Sequence, residues 1–164
     1  MKKVIIFGTN QLAQLANYYI TNDSEDEVVC FTVNREFLEN DTFCDKPVIP
    51  FEELVDNYTP DKYILFAPMT GVENNKVREK IYNEGKNLGY TFYSYLSSKA
   101  TILTKNIGDN CFILEDNTIQ PFVKIGNNCI LWSGNHIGHH STINDHVFIT
   151  SHCVISGNCN IKSY

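Results

Sequence analysis

The 164-residue sequence lacks the features that mark secreted, membrane and nucleic-acid-binding proteins. Its first apolar run, after Lys2 and Lys3, is only four residues long, so neither a secretory signal nor a transmembrane segment is predicted. The net charge is −6 and no basic residues cluster, which argues against nucleic acid or an anionic membrane as a partner. We therefore expect a cytoplasmic protein whose partners are small molecules.

Paired cysteine motifs are also missing. Six cysteines are present, but none forms a Cys-x-x-Cys pair. Four of them, Cys111, Cys129, Cys153 and Cys159, occupy a repeated small-residue position described below, where packing accounts for them. Because no secretion signal is present, free thiols are expected rather than disulfides.

The sequence does contain a six-residue repeat over residues 107–161. An aliphatic residue returns at every sixth position, a period that neither an amphipathic helix nor an alternating strand produces. This column consists of Ile107, Ile113, Ile119, Ile125, Leu131, Ile137, Ile143, Ile149, Ile155 and Ile161. A small or medium side chain follows four places after each of the first nine, from residue 111 to residue 159, and glycine follows directly at 108, 126 and 138. The pattern predicts a parallel β-helix with three hexads per coil, so residues 18 apart should stack.

The first part of the chain alternates apolar strands with helices. Strands are predicted over residues 2–8, 27–33, 61–68 and 91–95, helices over 10–20, 51–57 and 74–88, and a connector over 47–50. This alternation predicts a small parallel α/β domain of Rossmann-like type over residues 1–98. A hinge at residues 97–99 then leads to the β-helix domain, residues 99–164. Because the repeat stops within a hexad and without a cap, we expect this chain to lack a C-terminal segment.

Loops that follow the predicted strands supply candidate ligand contacts in the first domain, because parallel sheets bind ligands at the carboxyl ends of their strands. The candidates are Gly8, Thr9, Asn10, Gln11, Asn34 and Arg35. The later glycines of a G-x-G-x-x-G loop are absent, so a tightly bound dinucleotide is not expected. Instead, Asn10 and Gln11 could hydrogen-bond the edge of a pyrimidine base. Arg35 could neutralise a phosphate or could simply be an exposed loop arginine.

Two further segments follow the third strand. Residues 67–71 are predicted to form another loop on the same sheet edge. Lys76 and Arg78 begin the long third helix, where we expect both side chains on its solvated face.

All five histidines lie between residues 136 and 152, each in or beside a predicted turn. One interpretation is a set of exposed turn histidines. The other is a general base at the surface of the coil, because imidazole titrates near neutral pH. No two histidines are 18 or 36 residues apart, and none has a carboxylate or cysteine in a recognised zinc spacing. No metal site is therefore predicted.

The hexads and the segment GNHIGHHSTINDHVFITSHCVISG resemble the sugar O- and N-acyltransferases related to sialic acid O-acetyltransferase, a branch of the left-handed β-helix acyltransferases. The resemblance implies that His139 is the general base, with His140 as the alternative. It also implies that a backbone amide beside Gly157, one coil from His139, contacts the acetyl carbonyl of acetyl-CoA. Many relatives carry an acidic residue next to the base, where this chain has Gly138 and His140. The group that orients His139 is therefore open.

The function implied by the resemblance is transfer of an acetyl group from acetyl-CoA to an amino or hydroxyl group of a nucleotide-linked sugar. The first domain would bind the nucleotide sugar, and no metal would be needed. The protein would be a homotrimer with its acyl-CoA cleft between adjacent β-helices. Two alternatives stay open, because the same coil serves several functions: a non-catalytic trimeric module that binds a nucleotide sugar, and a zinc carbonic anhydrase-like β-helix.

Overall fold

The computed structural model describes residues 1–69 and 73–164, which divide into two compact units. The first unit contains Met1–Met69 and Ile81–Tyr93, and the second contains Thr70–Lys80 and Ser94–Tyr164. Residues 97–99, where we predicted a hinge, lie within the second unit. Residues 70 and 71 of the predicted loop at 67–71 lie outside the described part of the chain.

The first unit is built on a five-stranded sheet. Its strands are β1 (Lys3–Phe7), β2 (Glu27–Val33), β3 (Thr42–Phe43), β4 (Lys46–Pro50) and β5 (Ile64–Phe66). Their order is β3-β4-β2-β1-β5, and every neighbouring pair is parallel except β3 with β4. The connector predicted over residues 47–50 is wrong, because these residues belong to β4, where Val48 is buried and pairs with Phe31.

The helices are α1 (Gln11–Asp23), α2 (Leu54–Asn57) and α3 (Lys76–Asn87), with short 3-10 turns at Arg35–Phe37 and Phe51–Glu53. Helix α1 begins after Asn10, whose Oδ1 accepts hydrogen bonds from the N–H groups of Leu12 and Ala13, both at 3.1 Å. This is an N-cap, which satisfies two backbone donors that the first turn leaves without partners. No helix among the described residues is both long and apolar enough to cross a membrane.

The fourth strand, predicted over residues 91–95, does not form as one element. Phe92 makes a single parallel bridge with Leu65 of β5 in the first unit. Tyr95–Leu96 (β6) pairs with Phe112–Ile113 (β8) in the second unit. The two ends of the predicted strand therefore pair with different sheets, Phe92 with β5 and Tyr95 with β8.

The second unit is a parallel β-helix of two-residue strands. After β6 and β8, its remaining strands are β7 (Thr101–Ile102), β9 (Thr118–Ile119), β10 (Lys124–Ile125), β11 (Ile130–Leu131), β12 (His136–Ile137), β13 (Thr142–Ile143), β14 (Phe148–Ile149), β15 (Val154–Ile155) and β16 (Asn160–Ile161). They form three parallel sheets, ordered β14-β11-β8-β6, β15-β12-β9-β7 and β10-β13-β16. Leu131 pairs with Ile113 and with Ile149, so the predicted stacking of residues 18 apart is confirmed. Such stacks of hexapeptide repeats are consistent with a left-handed β-helix.

Two sequence columns fill the interior of the coil. The aliphatic residues from Ile113 to Ile149 are buried, and so is the small-residue column from Cys111 to Val147. Asn117 belongs to the second column and donates from Nδ2 to the carbonyls of Leu114 and Trp132, at 2.9 and 2.8 Å. A polar residue is tolerated at this narrow position because it is hydrogen-bonded to the backbone. All six cysteines are free thiols.

A third column sets the turns. The residue three places after each aliphatic has a positive φ, a conformation that glycine adopts without strain and that asparagine, aspartate and histidine adopt more often than other residues. Its members are Asn110, Asp116, Phe122, Asn128, Gly134, His140, His146, His152, Asn158 and Tyr164. Three of the five histidines therefore occupy equivalent backbone positions on successive turns.

Candidate active site

His139 lies at an exposed corner of the β-helix, two residues after β12. Its N–H donates to Oε1 of Gln120 at 2.8 Å, and its C=O accepts from the N–H of Asn158 at 2.9 Å. Gln120 belongs to the preceding coil and Asn158 to the following one. These contacts hold the main chain of His139 from both sides, while its imidazole stays accessible to solvent.

The imidazole of His139 packs against Gly157, one coil further on. A Cβ atom at Gly157 would lie 2.8 Å from both Cε1 and Nε2 of His139, closer than real atoms approach. A Cβ at Gly138 would lie 2.5 Å from the backbone nitrogen of Gly157. Neither glycine has a positive φ, so both are needed for close approach and not for turn geometry. Together they let the two coils meet beside the His139 ring.

His140 contacts His139 through its side chain. The two Nδ1 atoms are 3.1 Å apart, and the rings are nearly perpendicular, at 86°. A hydrogen bond between two nitrogens needs one donor and one acceptor, so one ring carries a proton on Nδ1 and the other presents a lone pair. The His140 ring also lies against Phe122, 18 residues earlier, with centroids 4.7 Å apart and planes at 36°.

His146 has different surroundings, although it lies only six residues after His140. Its side chain is 12% exposed, with Nδ1 2.8 Å from Nδ2 of Asn128 and Nε2 3.7 Å from Oε1 of Glu79. Its ring stacks on Tyr164 with centroids 5.6 Å apart. Burial lowers the pKa of His146, and the carboxylate of Glu79 partly opposes that shift.

The remaining two histidines, His136 and His152, have other surroundings. The ring of His152 packs on Gly134, where an added Cβ would lie 2.6 Å from its Nδ1. His136 lies in β12, paired with Thr118 and Val154 on the neighbouring strands. Among residues 1–69 and 73–164, no group of three or more His, Cys, Asp or Glu side chains is arranged to hold a metal ion.

Arg78 corrects a prediction made from the sequence. Its side chain is fully buried instead of solvated, and Nη2 donates to the carbonyls of His146 and Val147, at 3.0 and 3.4 Å. Burial lowers the pKa of Arg78 to about 10, which still leaves the guanidinium charged at neutral pH. Lys76, two residues earlier, is exposed as predicted and lies 3.5 Å from the centre of the Tyr164 ring. The first turn of α3 thus directs the arginine, and not the lysine, against the coil.

In the first unit, the loop after β1 lies at the carboxyl edge of the sheet. Gly8 has a φ of 115°, and its N–H donates to the carbonyl of Thr32 at 2.8 Å. Asn10 uses its Oδ1 to cap α1, which leaves its side-chain NH₂ group for another partner, and Gln11 is exposed. A cavity of about 150 Å³ opens beside this loop. It is lined by Thr9, Val33, Leu38, Glu39, Asn40, Thr42, Phe43 and Val48.

The residues after β2 have partners of their own. The guanidinium of Arg35 pairs with the carboxylate of Glu53, and the Arg35 N–H donates to both carboxylate oxygens of Glu52, at 3.0 and 3.2 Å. The Oδ1 atom of Asn34 is buried and accepts no hydrogen bond within the described part of the chain. Of the candidate residues in the first unit, Thr9 lines the cavity, whereas Arg35 is bound to the acidic side chains of Glu52 and Glu53.

Gln120 and Phe122 were not recognised from the sequence. Phe122 could have been found by the same arithmetic that stacks Gly157 on His139, because it lies 18 residues before His140. Gln120 shares a column with Gly138, whose neighbour is His139. The register was readable, but the direction in which the Gln120 side chain points was not.

Comparison with known proteins agrees with this architecture. Residues 104–139 match the family described as bacterial transferase hexapeptide (six repeats). No curated protein matches the chain. The fold is that of a hexapeptide-repeat β-helix preceded by an α/β unit, and several solved structures share it over nearly the whole chain.

Three of these structures are informative. The acetyltransferase domain of PglB from Neisseria gonorrhoeae FA1090 has a TM-score of 0.75 at 16% identity, over 98% of this chain and 76% of that one. WeeI from Acinetobacter baumannii AYE has a TM-score of 0.66 at 16% identity, over 98% and 74%. A histidine mutant of perosamine N-acetyltransferase from Caulobacter crescentus, in complex with CoA and GDP-perosamine, has a TM-score of 0.61 at 11% identity, over 99% and 90%. At these identities the likeness shows the fold.

Proposed function

We propose that this protein is an acetyltransferase that moves an acetyl group from acetyl-CoA to an amino or hydroxyl group of a nucleotide-linked sugar. The observation that carries the proposal is the exposed imidazole of His139, which is packed on Gly157 and held by backbone contacts to both adjacent coils. The shared fold of a PglB acetyltransferase domain and of a perosamine N-acetyltransferase bound to CoA and GDP-perosamine supports the same reaction.

In this proposal His139 is the general base. Its Nε2 accepts a proton from the sugar amine or hydroxyl as that nitrogen or oxygen attacks the thioester carbonyl carbon. The new C–N or C–O bond forms, the C–S bond breaks, and the proton passes from His139 to the departing CoA sulfur. The backbone N–H beside Gly157 would donate to the carbonyl oxygen as negative charge develops there. The acetyl group moves directly between two bound substrates, so positioning supplies much of the rate.

The first unit would hold the nucleotide as a Rossmann-like domain. Support comes from the parallel sheet and from the cavity at its carboxyl edge, beside the loop from Gly8 to Gln11. The free NH₂ group of Asn10 could donate to a carbonyl oxygen of the base. Arg35 would reach a phosphate only by leaving Glu53. The Oδ1 atom of Asn34 is buried, so it would accept a hydrogen bond from the substrate only after a local rearrangement.

The proposal includes a homotrimer in which acetyl-CoA binds between neighbouring β-helices. In that assembly His139 and His140 would face the cleft from one subunit. Closed cyclic symmetry is the usual solution for identical chains, and a solenoid surface is suited to it.

The proposal is tested by mass spectrometry of reactions that contain acetyl-CoA and a panel of UDP-, dTDP- and GDP-linked amino sugars. The wild-type protein should add the mass of one acetyl group in place of one hydrogen to a sugar of the panel. His139→Ala should lower that rate by about 10²- to 10⁴-fold, the range expected for loss of a general base. His152→Ala is the matched control, because it removes an exposed histidine from another corner of the same coil.

Two results would contradict the proposal, the first its assignment of the base and the second the reaction itself. Transfer that survives His139→Ala unchanged would exclude His139 as the base. A stable trimer that binds a nucleotide sugar but gives no heat of binding with acetyl-CoA would identify a non-catalytic module instead.

A further inference from the structure

At the candidate site, the side chains of His139 and His140 contact each other through their Nδ1 atoms. Nδ1 of His139 and Nδ1 of His140 are 3.1 Å apart, which is hydrogen-bonding distance. Nε2 is the other nitrogen of the His139 ring, which lies over Gly157 of the next coil, where an added Cβ would be 2.8 Å from Nε2 and 3.2 Å from Nδ1. The Nδ1 contact and the atom available for chemistry are therefore separate.

The proposed role of His139 determines which ring nitrogen of each histidine carries a proton. A general base needs a lone pair on Nε2, and a neutral imidazole then carries its proton on Nδ1. That Nδ1–H must donate, so Nδ1 of His140 must accept. The proton of His140 is consequently on its own Nε2.

His140 is itself held in place. Its ring lies against Phe122 at 4.7 Å, and its backbone has a φ of 60°, like the equivalent residues of neighbouring hexads. Its N–H contacts the carbonyl of Pro121 at 3.4 Å. The aromatic contact and the turn together limit the directions in which Nδ1 of His140 can point.

We infer that His140 is a positioning residue: its Nδ1 accepts the Nδ1–H of His139 and thereby holds His139 in the tautomer that leaves Nε2 free to take the substrate proton. This inference rests on the proposed function. It assigns to a neutral ring the task that an adjacent carboxylate performs in many general-base histidines. The pair is neutral before proton transfer and carries one positive charge after it.

This arrangement affects the chemical step more than substrate binding. When Nε2 of His139 is protonated, the Nδ1–H donor becomes part of a cation, and hydrogen bonds from charged donors are stronger than those from neutral ones. The contact with His140 therefore strengthens as the reaction proceeds. An interaction that is stronger in the transition state than in the ground state raises kcat.

Substitutions at residue 140 can separate the hydrogen bond from the backbone geometry. In His140→Asn, Oδ1 is as many bonds from Cα as Nδ1 is in histidine, and asparagine tolerates a positive φ. His140→Leu removes the acceptor but keeps a side chain of moderate size. His152→Leu is its matched control, because residue 152 has a φ of 59°, is exposed, and packs its ring on Gly134 instead of on Gly157.

We expect His140→Leu to lower kcat by about 10- to 100-fold with a much smaller change in KM, because a misdirected base costs rate and not affinity. His140→Asn should stay within about fivefold of the wild type. His152→Leu should share any loss of stability that the turn imposes but keep wild-type kcat. Equal kcat values for His140→Leu and His152→Leu would overturn the inference.

A second measurement does not depend on finding the sugar. Nitrogen-15 NMR of the imidazoles in the full chain reports which ring nitrogen carries a proton. We expect the Nδ1–H form for His139 in the wild type and in His140→Asn, and loss of that preference in His140→Leu. A proton on Nδ1 of His140, or an unprotonated Nδ1 on neutral His139, would overturn the inference. Failure to acetylate any sugar would instead count against the proposed function.

Discussion

Two corners of the same β-helix carry histidines at equivalent positions; both rings lie against an aromatic ring, but they differ in exposure and in polar partners. His140 and His146 are six residues apart, with φ values of 60° and 66°. His140 is exposed and contacts the ring of His139, whereas His146 is mostly enclosed and lies between Asn128 and Glu79. The hexad therefore sets the backbone of a residue, and its neighbours set the chemistry.

The enclosed corner is organised by a line of side chains along the coil. Nδ2 of Asn110 donates to Oδ1 of Asn128 at 2.7 Å, and Nδ2 of Asn128 lies 2.8 Å from Nδ1 of His146. With that amide orientation, His146 accepts at Nδ1 and is favoured in its neutral form. Its surroundings suit a structural role, whereas the accessible ring of His139 suits proton transfer.

The largest expected effect is on the stability of the enclosed corner. Arg78→Ala should lower the free energy of unfolding by about 3 kcal/mol, because it leaves a cavity and removes a buried side chain that donates to the carbonyls of His146 and Val147. Arg78→Lys should lose part of this, since one ammonium cannot reproduce the planar fork. Urea denaturation measures both. Lys76→Ala, an exposed position on the same helical turn, is the control, and a loss there equal to that of Arg78→Ala would show that the buried guanidinium contributes no more than a surface charge.

The next effect concerns the exposed corner. Gly157→Ala should lower kcat about 100-fold with little loss of stability, because the new Cβ displaces the exposed His139 ring and not a packed core. Steady-state kinetics and a urea melt measure the two quantities. Gly134→Ala displaces the His152 ring in the same way, so it should keep kcat, although its φ of 77° makes it about 1 kcal/mol less stable. If Gly157→Ala and Gly134→Ala lowered kcat equally, the loss would come from a general disturbance of the coil and not from displacement of His139.

The smallest expected effect is on the pH dependence of stability, through His146 at the enclosed corner. Burial lowers the pKa of His146 in the folded protein below its ordinary 6.5. At a pH between the lowered pKa of the folded state and 6.5, the unfolded chain therefore binds more protons than the folded one. The contribution to stability is full above about pH 7 and is lost as the pH falls through 6.5 to the folded value. The hydrogen bond from Tyr164 lowers the pKa of Glu79, whose contribution is lost only at more acidic pH.

His146→Asn isolates that dependence. Asparagine suits the positive φ and continues the line from Asn110 through Asn128, but it does not titrate. Urea midpoints between about pH 5 and pH 7.5 should fall with acid in the wild type and stay flatter in the variant. The charged groups that face this ring, Glu79, Asp145, Arg78 and Lys76, are present in both proteins. Parallel curves would assign the dependence to another group.

Much of the β-helix could be predicted because its period is local. Each hexad repeats the same choice of an aliphatic, a small residue and a turn residue, so the interior columns and the 18-residue stacking followed from counting. The proximity of His139 and Gly157 followed in the same way. Strand β2 was also predicted with its observed bounds, 27–33, because five of its seven residues are apolar.

Other features depend on partners distant in the chain. Residues 47–50 form a strand despite two prolines, because β2 supplies the pairing that local propensity does not indicate. Arg78 is buried because carbonyls 68 and 69 residues away accept its hydrogen bonds. The Rossmann-like character of the first unit and the role of each site residue stay predictions.

The sequence by itself determined the coil, its register and the corner on which each histidine lies, because a backbone that repeats every six residues places side chains by arithmetic. Only the tertiary structure decided that His140 points towards His139 and lies on Phe122, whereas His146 lies against Asn128 and Glu79. Ring direction depends on side-chain torsions, and these are selected by the atoms that pack around each ring and not by the period of the chain.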